Sequence, residues 1–179
     1  MYISKKERKL LCDEIKSSDK YFYKMIFEIK FCEEYEIFEI CDSMFSAYRQ
    51  MRLNKVGFND FSVAAKRLDI LNDSEHYFPR FEFLIFSNKN PEEIWQKEIL
   101  FKSRWFYFLS MALQRKCDVD VKIELQEKEN CERLLNEYFD FFHNEYVLNK
   151  IKESHKLIYF GKDFKKALRL TQVGSVQEE

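Results

Sequence analysis

The segment Phe61-Ser62-Val63-Ala64-Ala65-Lys66-Arg67-Leu68-Asp69-Ile70 decides how the middle of the chain is read. Asp60 stands before it as a helix N-cap, and Gly57, within 54–60, ends whatever precedes it. Ala64 and Ala65 are small enough for close helix packing, so the reading is a helix over about 61–70. Downstream, a loop is expected at 71–75, and Pro79 disfavours a helix through Tyr77 and Phe78. The run FEFLIF at 81–86 fits either a short strand or a buried helical turn.

Upstream, Ser4 and Glu7 have the capping-box spacing, and Leu10, Leu11 and Ile15 supply an apolar face, which predicts a helix over about 4–16. Residues 21–51 carry apolar side chains mostly three or four apart and read as helical. Phe27, Ile29 and Phe31 alternate with Glu28 and Lys30, a strand-like rival within that run. Beyond the FEFLIF run, Asn90-Pro91-Glu92-Glu93 combines an N-cap, a first-turn proline and two acids at the positive end of the helix dipole. The helix it opens, about 91–116, has apolar residues around most of its circumference and is expected to be central and buried on several sides. Val119, Val121, Ile123 and Leu125 alternate with charged residues, which predicts a strand at 118–125, with 156–160 or 81–86 as its neighbour. A helix over 130–152 and a basic amphipathic helix over 163–170 complete the chain.

The expected fold is therefore mainly α, a multi-helix domain over 1–170 with a minor β element and a flexible tail at 171–179. The composition agrees with packed helices and short turns: 19 Phe, 10 Tyr and 2 Trp stand against 3 Gly and 2 Pro in 179 residues. No stretch reaches a spanning length of about 20 apolar residues, and no apolar leader follows the charged start, which reads as a cytoplasmic protein. Five cysteines without a CxxC pair read as reduced thiols. The net charge of -1 hides an acidic 118–145 segment, with nine acids against three bases, and a basic 150–169 segment, with seven bases against two acids. The two are expected to face each other.

Isolated glycines exclude phosphate-cradling loops, so no cofactor is expected. His76, His143 and His155 are too dispersed for a zinc motif, although Glu137, Asp140 and His143 would share one face of a continuous helix. In that helix Cys131 and His143 would lie about 18 Å apart, too far for a nucleophile and its base. The sequence thus offers no catalytic or metal residues.

The segment 61–70 resembles the first helix and turn of the helix-turn-helix in LysR-type regulators, in its aromatic-Ser start, central Ala-Ala and Arg-Leu before the turn. The resemblance implies DNA contact, and Arg49, Arg52, Lys55, Lys66 and Arg67 surround it with positive charge. It fails in the following segment, where Glu75 and Pro79 would fall within the recognition helix. Lys162, Lys165, Lys166 and Arg169 form a second basic surface for nucleic acid or an acidic partner, and Glu33, Glu34, Glu36 and Glu39 form an acidic surface for a basic partner. The function expected is a non-enzymatic protein-interaction factor, an adaptor, regulator or inhibitor, with a homodimer among its forms. A nucleic-acid-binding regulator using 61–81 is the alternative.

Overall fold

The computed structural model describes residues 3–54, 58–73 and 75–174. The chain begins with helix α1 (Lys5–Ser17), whose Ser4–Glu7 capping box forms as the sequence predicts. Strand β1 (Tyr21–Ile29) follows, then helix α2 (Ile37–Leu53). Strands β2 (Phe61–Asn72) and β3 (Tyr77–Ser87) form a long hairpin, and helix α3 (Pro91–Leu113) starts at the Asn90–Glu93 capping box. The remainder comprises β4 (Val119–Leu125), α4 (Cys131–Asp140), α5 (Glu145–Ile151), β5 (Ile158–Phe160) and α6 (Lys162–Gly174).

The strands make one antiparallel sheet in the order β4-β1-β3-β2-β5. This overturns the mainly α, all-helical expectation: the fold is α+β, a sheet sandwiched between two helical layers. The error arose where strands are buried on both faces, because apolar residues on both sides of a ribbon erase the alternation that marks a half-wet strand. In β1, Tyr23, Met25, Phe27 and Ile29 enter one core while Phe22 enters the other. The predicted helix at 61–70 is β2, and 81–86 belongs to β3, so the hairpin excludes a helix-turn-helix at 61–81. The hairpin turn is held by Asp73, whose carboxylate accepts from the backbone N–H of Glu75 and His76.

On the first face, α2, α3 and α5 cover a core dense in rings: Phe27 lies 5.2 Å from both Phe83 and Trp105, and Phe45 lies 5.0 Å from Phe81. On the second face, α1, α4 and α6 close a core of Leu11, Ile15, Phe22, Leu84, Phe86, Leu135, Tyr138 and Phe164. Two cores account for much of the aromatic surplus.

Three further expectations change. Helix α3 is packed on one side only, leaving Trp95, Ile99, Tyr107 and Met111 exposed. The 130–152 helix breaks into α4 and α5. The neighbour of β4 is β1, while β5 lies on the opposite edge beside β2. The free edge of β4 is covered by side chains of α3: Glu98 accepts the Ile123 N–H at 2.9 Å, and Lys102 donates to Asp120 at 3.0 Å. Of the expected tail, 171–174 belongs to α6, and 175–179 lie outside the described residues.

Candidate functional site

Alternation along β2 sends the two neighbouring cations Lys66 and Arg67 to opposite faces of the sheet. Arg67 enters the second face, where charged residues of three adjacent strands gather: Arg67 and Asp69 two apart on β2, Arg80 and Glu82 two apart on β3, and Lys24 and Glu28 four apart on β1, on either side of Ile26. Arg67 donates from Nε to Glu82 at 2.8 Å and from Nη1 to the carbonyls of Tyr138 at 2.6 Å and Phe141 at 2.8 Å. A guanidinium therefore satisfies carbonyls left open at the C-terminal end of α4, where the helix dipole favours positive charge. Arg80 reaches Glu82 at 2.6 Å and Asp69 at 3.7 Å, and Lys24 reaches Glu82 at 3.4 Å.

Asp69 is fully buried and accepts from the backbone N–H of His143 at 3.2 Å, while its other oxygen meets the His143 Nδ1 at 2.7 Å. The Tyr138 hydroxyl donates to the Glu82 carbonyl at 2.8 Å, and complete burial holds its phenol well above the usual range. Three cations and three carboxylates make this cluster neutral, with each buried charge facing an opposite one. An Asp-oriented imidazole is half of an acid–base device, but among the described residues no hydroxyl or thiol hydrogen-bonds the other ring nitrogen of His143. The cluster ties α4 and the segment after it to the sheet. Among the described residues no group of three His, Cys, Asp or Glu side chains is arranged to hold a metal.

Lys66 enters the first face. Its ammonium lies 4.6 Å from the ring centres of Phe45 and Tyr48 and 4.5 Å from that of Phe81, and the residue is 7% exposed. Desolvation, then the nearby Arg52 charge, pushes its pKa down to about 8. Phe45 and Tyr48 are also walls of an open cleft of about 810 Å³ that Arg49, Arg52 and His155 line. His155 stacks on Phe45 with ring centres 4.1 Å apart and meets Asp42 at 2.6 Å.

Of the cations expected to act together, the structure thus gathers Arg49, Arg52 and Lys66, and separates Arg67 from them. Lys55 lies outside the described residues. Lys162, Lys165, Lys166 and Arg169 are exposed on α6, on the other side of the sheet, with Lys165 over the Tyr159 ring at 4.6 Å. The acidic 118–145 segment and the 150–169 segment meet through apolar side chains, with Phe139 5.6 Å from Phe160, and among the described residues no ion pair joins them. Glu33, Glu34 and Glu39 are exposed around the start of α2. Glu36 is held below the usual carboxylate range by the Glu33 N–H and by Arg115 at 2.5 Å.

The cysteines behave as core residues. Burial pushes Cys12 and Cys32 up to about 12 and raises Cys41 and Cys117, the opposite of what a reactive thiolate needs. Because α4 ends at Asp140, His143 turns to Asp69 and shares no helix face with Glu137 and Asp140. The 18 Å separation from Cys131, which assumed one continuous helix, no longer applies. Sequence reasoning missed Lys24, Glu28, Asp69, Arg80, Glu82 and Tyr138 as one cluster; the readable signal was charge at period two, as in Arg80-Phe81-Glu82 and Arg67-Leu68-Asp69.

Among the described residues no helix is long and apolar enough to cross a membrane. No protein-family model matches the chain, and no curated protein is significantly similar to it.

Proposed function

We propose that the protein is a non-enzymatic interaction factor, of the adaptor or regulator kind, that docks through the outer face of α3. The observation that carries this reading is an apolar strip on an otherwise charged helix: Trp95 is 63% exposed and Ile99 77%, with Phe106 beside them and Tyr107 and Met111 on the adjoining row. Spacings of four and seven residues put Trp95, Ile99 and Phe106 on one side of the helix. Contiguous exposed apolar side chains of this size are what a protein interface covers.

A second copy of the chain fits the strip. Helix α3 begins with acids, Glu92 and Glu93, and carries the exposed bases Arg104 and, just past its end, Lys116. Antiparallel apposition of two such helices sets the acidic end of each toward the basic end of the other, with Ser103 small enough for close approach near the middle. Light scattering after size exclusion, from low to high micromolar protein, tests this with Ile99→Glu as the comparison. We expect a dimer in the wild type and a folded monomer in the variant. A wild type that stays monomeric throughout, or an unaffected dimer, overturns the assignment.

A further inference from the structure

We infer that the cleft beside Lys66 is a binding site for a small phosphorylated molecule, with Arg49, Arg52 and Lys66 supplying its positive charge. The argument starts from the contrast between two neighbours in β2. Arg67 has a carboxylate and carbonyls matched to its guanidinium. Lys66, 7% exposed against 3% for Arg67, has three aromatic faces but no carboxylate or carbonyl hydrogen-bonded to it among the described residues. A buried ammonium without an anion is an unfavourable arrangement that an anionic ligand would relieve.

The surroundings sharpen the ligand's chemistry. Arg52 adds to the charge at Lys66 instead of offsetting it. The one acid lining the cleft, Asp42, is engaged by His155. Arg49 and Arg52 line the open cleft and the Lys66 ammonium lies against its Phe45 and Tyr48 walls. Three such cations call for more than one negative charge, and a phosphate monoester brings about 1.5 to 2 with three acceptor oxygens suited to guanidinium forks. The stacked Phe45 and His155 rings give the cleft a flat wall on which a planar group can rest. The ammonium is shared by rings of both elements that frame the site, Phe45 and Tyr48 on α2 and Phe81 on β3, so a bound phosphate would also draw α2 toward the sheet.

The test is calorimetric titration of the full chain with adenosine monophosphate, adenosine and inorganic phosphate, repeated on Lys66→Met and Arg52→Gln, with Lys166→Gln on α6 as a remote control. We expect saturable binding of the monophosphate, weaker binding of inorganic phosphate and none of adenosine. Either cleft variant should weaken the monophosphate about tenfold or more, and the remote control should leave it unchanged. Two variants from different elements separate loss of the site from loss of the fold, which circular dichroism checks in parallel. No saturable binding, or binding equal in all three variants, overturns the site. A short single-stranded oligonucleotide, titrated at about 50 and 200 mM salt, is the last arm. Binding of the oligonucleotide without binding of the monophosphate also overturns it, and assigns the cations to a nucleic-acid surface.

Discussion

Lys66 shows how one residue's environment becomes a stability term. An ordinary lysine amine titrates near 10.5, and this one near 8 because burial penalises its charge. Between those values the unfolded chain keeps a proton that the folded chain has released, so the folded state gains stability as pH rises from about 8 to about 10.5. Below pH 8 the full penalty applies, at most about 3 kcal/mol for a shift of this size. Lys66→Met, which fills the same aromatic cage without charge, should therefore stabilise the protein at pH 7. The gain should shrink toward pH 10, as urea unfolding at the two pH values would show; a gain independent of pH would mean that packing, not charge, distinguishes the two side chains. Neither Lys66 nor its contrast with Arg67 was foreseen as a division of labour, because a helix reading of 61–70 places consecutive residues on neighbouring faces and a strand places them on opposite ones. The cations were legible; their partition was not.

Among the elements, the capped helices were the most legible. Ser4 with Glu7, and Asn90 with Pro91, are local chemistry that acts within four residues, and both helices start where the sequence puts them. β4 was legible as well, since one of its faces is wet and its alternation survives. β1, β2 and β3 were not, being covered on both sides, and the end of α4 is set by contacts with Arg67 that no local pattern announces. The junction of β5 and α6 depends on close approach. Gly161 donates its N–H to the Ala64 carbonyl at 2.7 Å, and a Cβ there would lie 1.5 Å from the Val63 carbonyl oxygen. Gly161→Ala should push β5 away from β2 and loosen Phe164, which α6 buries in the second core. We expect a loss of about 1–3 kcal/mol in urea unfolding, with faster amide exchange in α6 than in α3; an unchanged midpoint would show that the strand yields without cost.

At the scale of the whole molecule, one sheet serves two cores, so losing either layer exposes one whole apolar face of the strands that hold the other. Unfolding should be a single transition. Trp105, buried beside Phe27 and Phe81, reports the first core once Trp95→Phe removes the exposed fluorophore, and far-UV circular dichroism reports the whole. The two curves should coincide in urea, whereas an earlier fluorescence midpoint would show that the layer of α2 and α3 detaches on its own. The three-layer arrangement itself was not legible, because apart from the β2–β3 hairpin every strand pairing joins distant parts of the chain, as β1 with β3 and β4 and β2 with β5, in the order β4-β1-β3-β2-β5. In the β2–β3 ladder Val63 faces Ile85 and Ala65 faces Leu84, so Ala64 is an extra residue. Before it, odd-numbered side chains such as Phe61 point to the layer of α2 and α3; after it, even-numbered ones such as Lys66 and Leu68 do. That single inserted alanine works as a shift of reading frame in the pleat. Were the ladder ironed flat from Phe61 onward, Arg67 and Asp69 would be driven into the aromatic cage and Lys66 into the ion cluster, and the addresses of every charge on β2 would be exchanged.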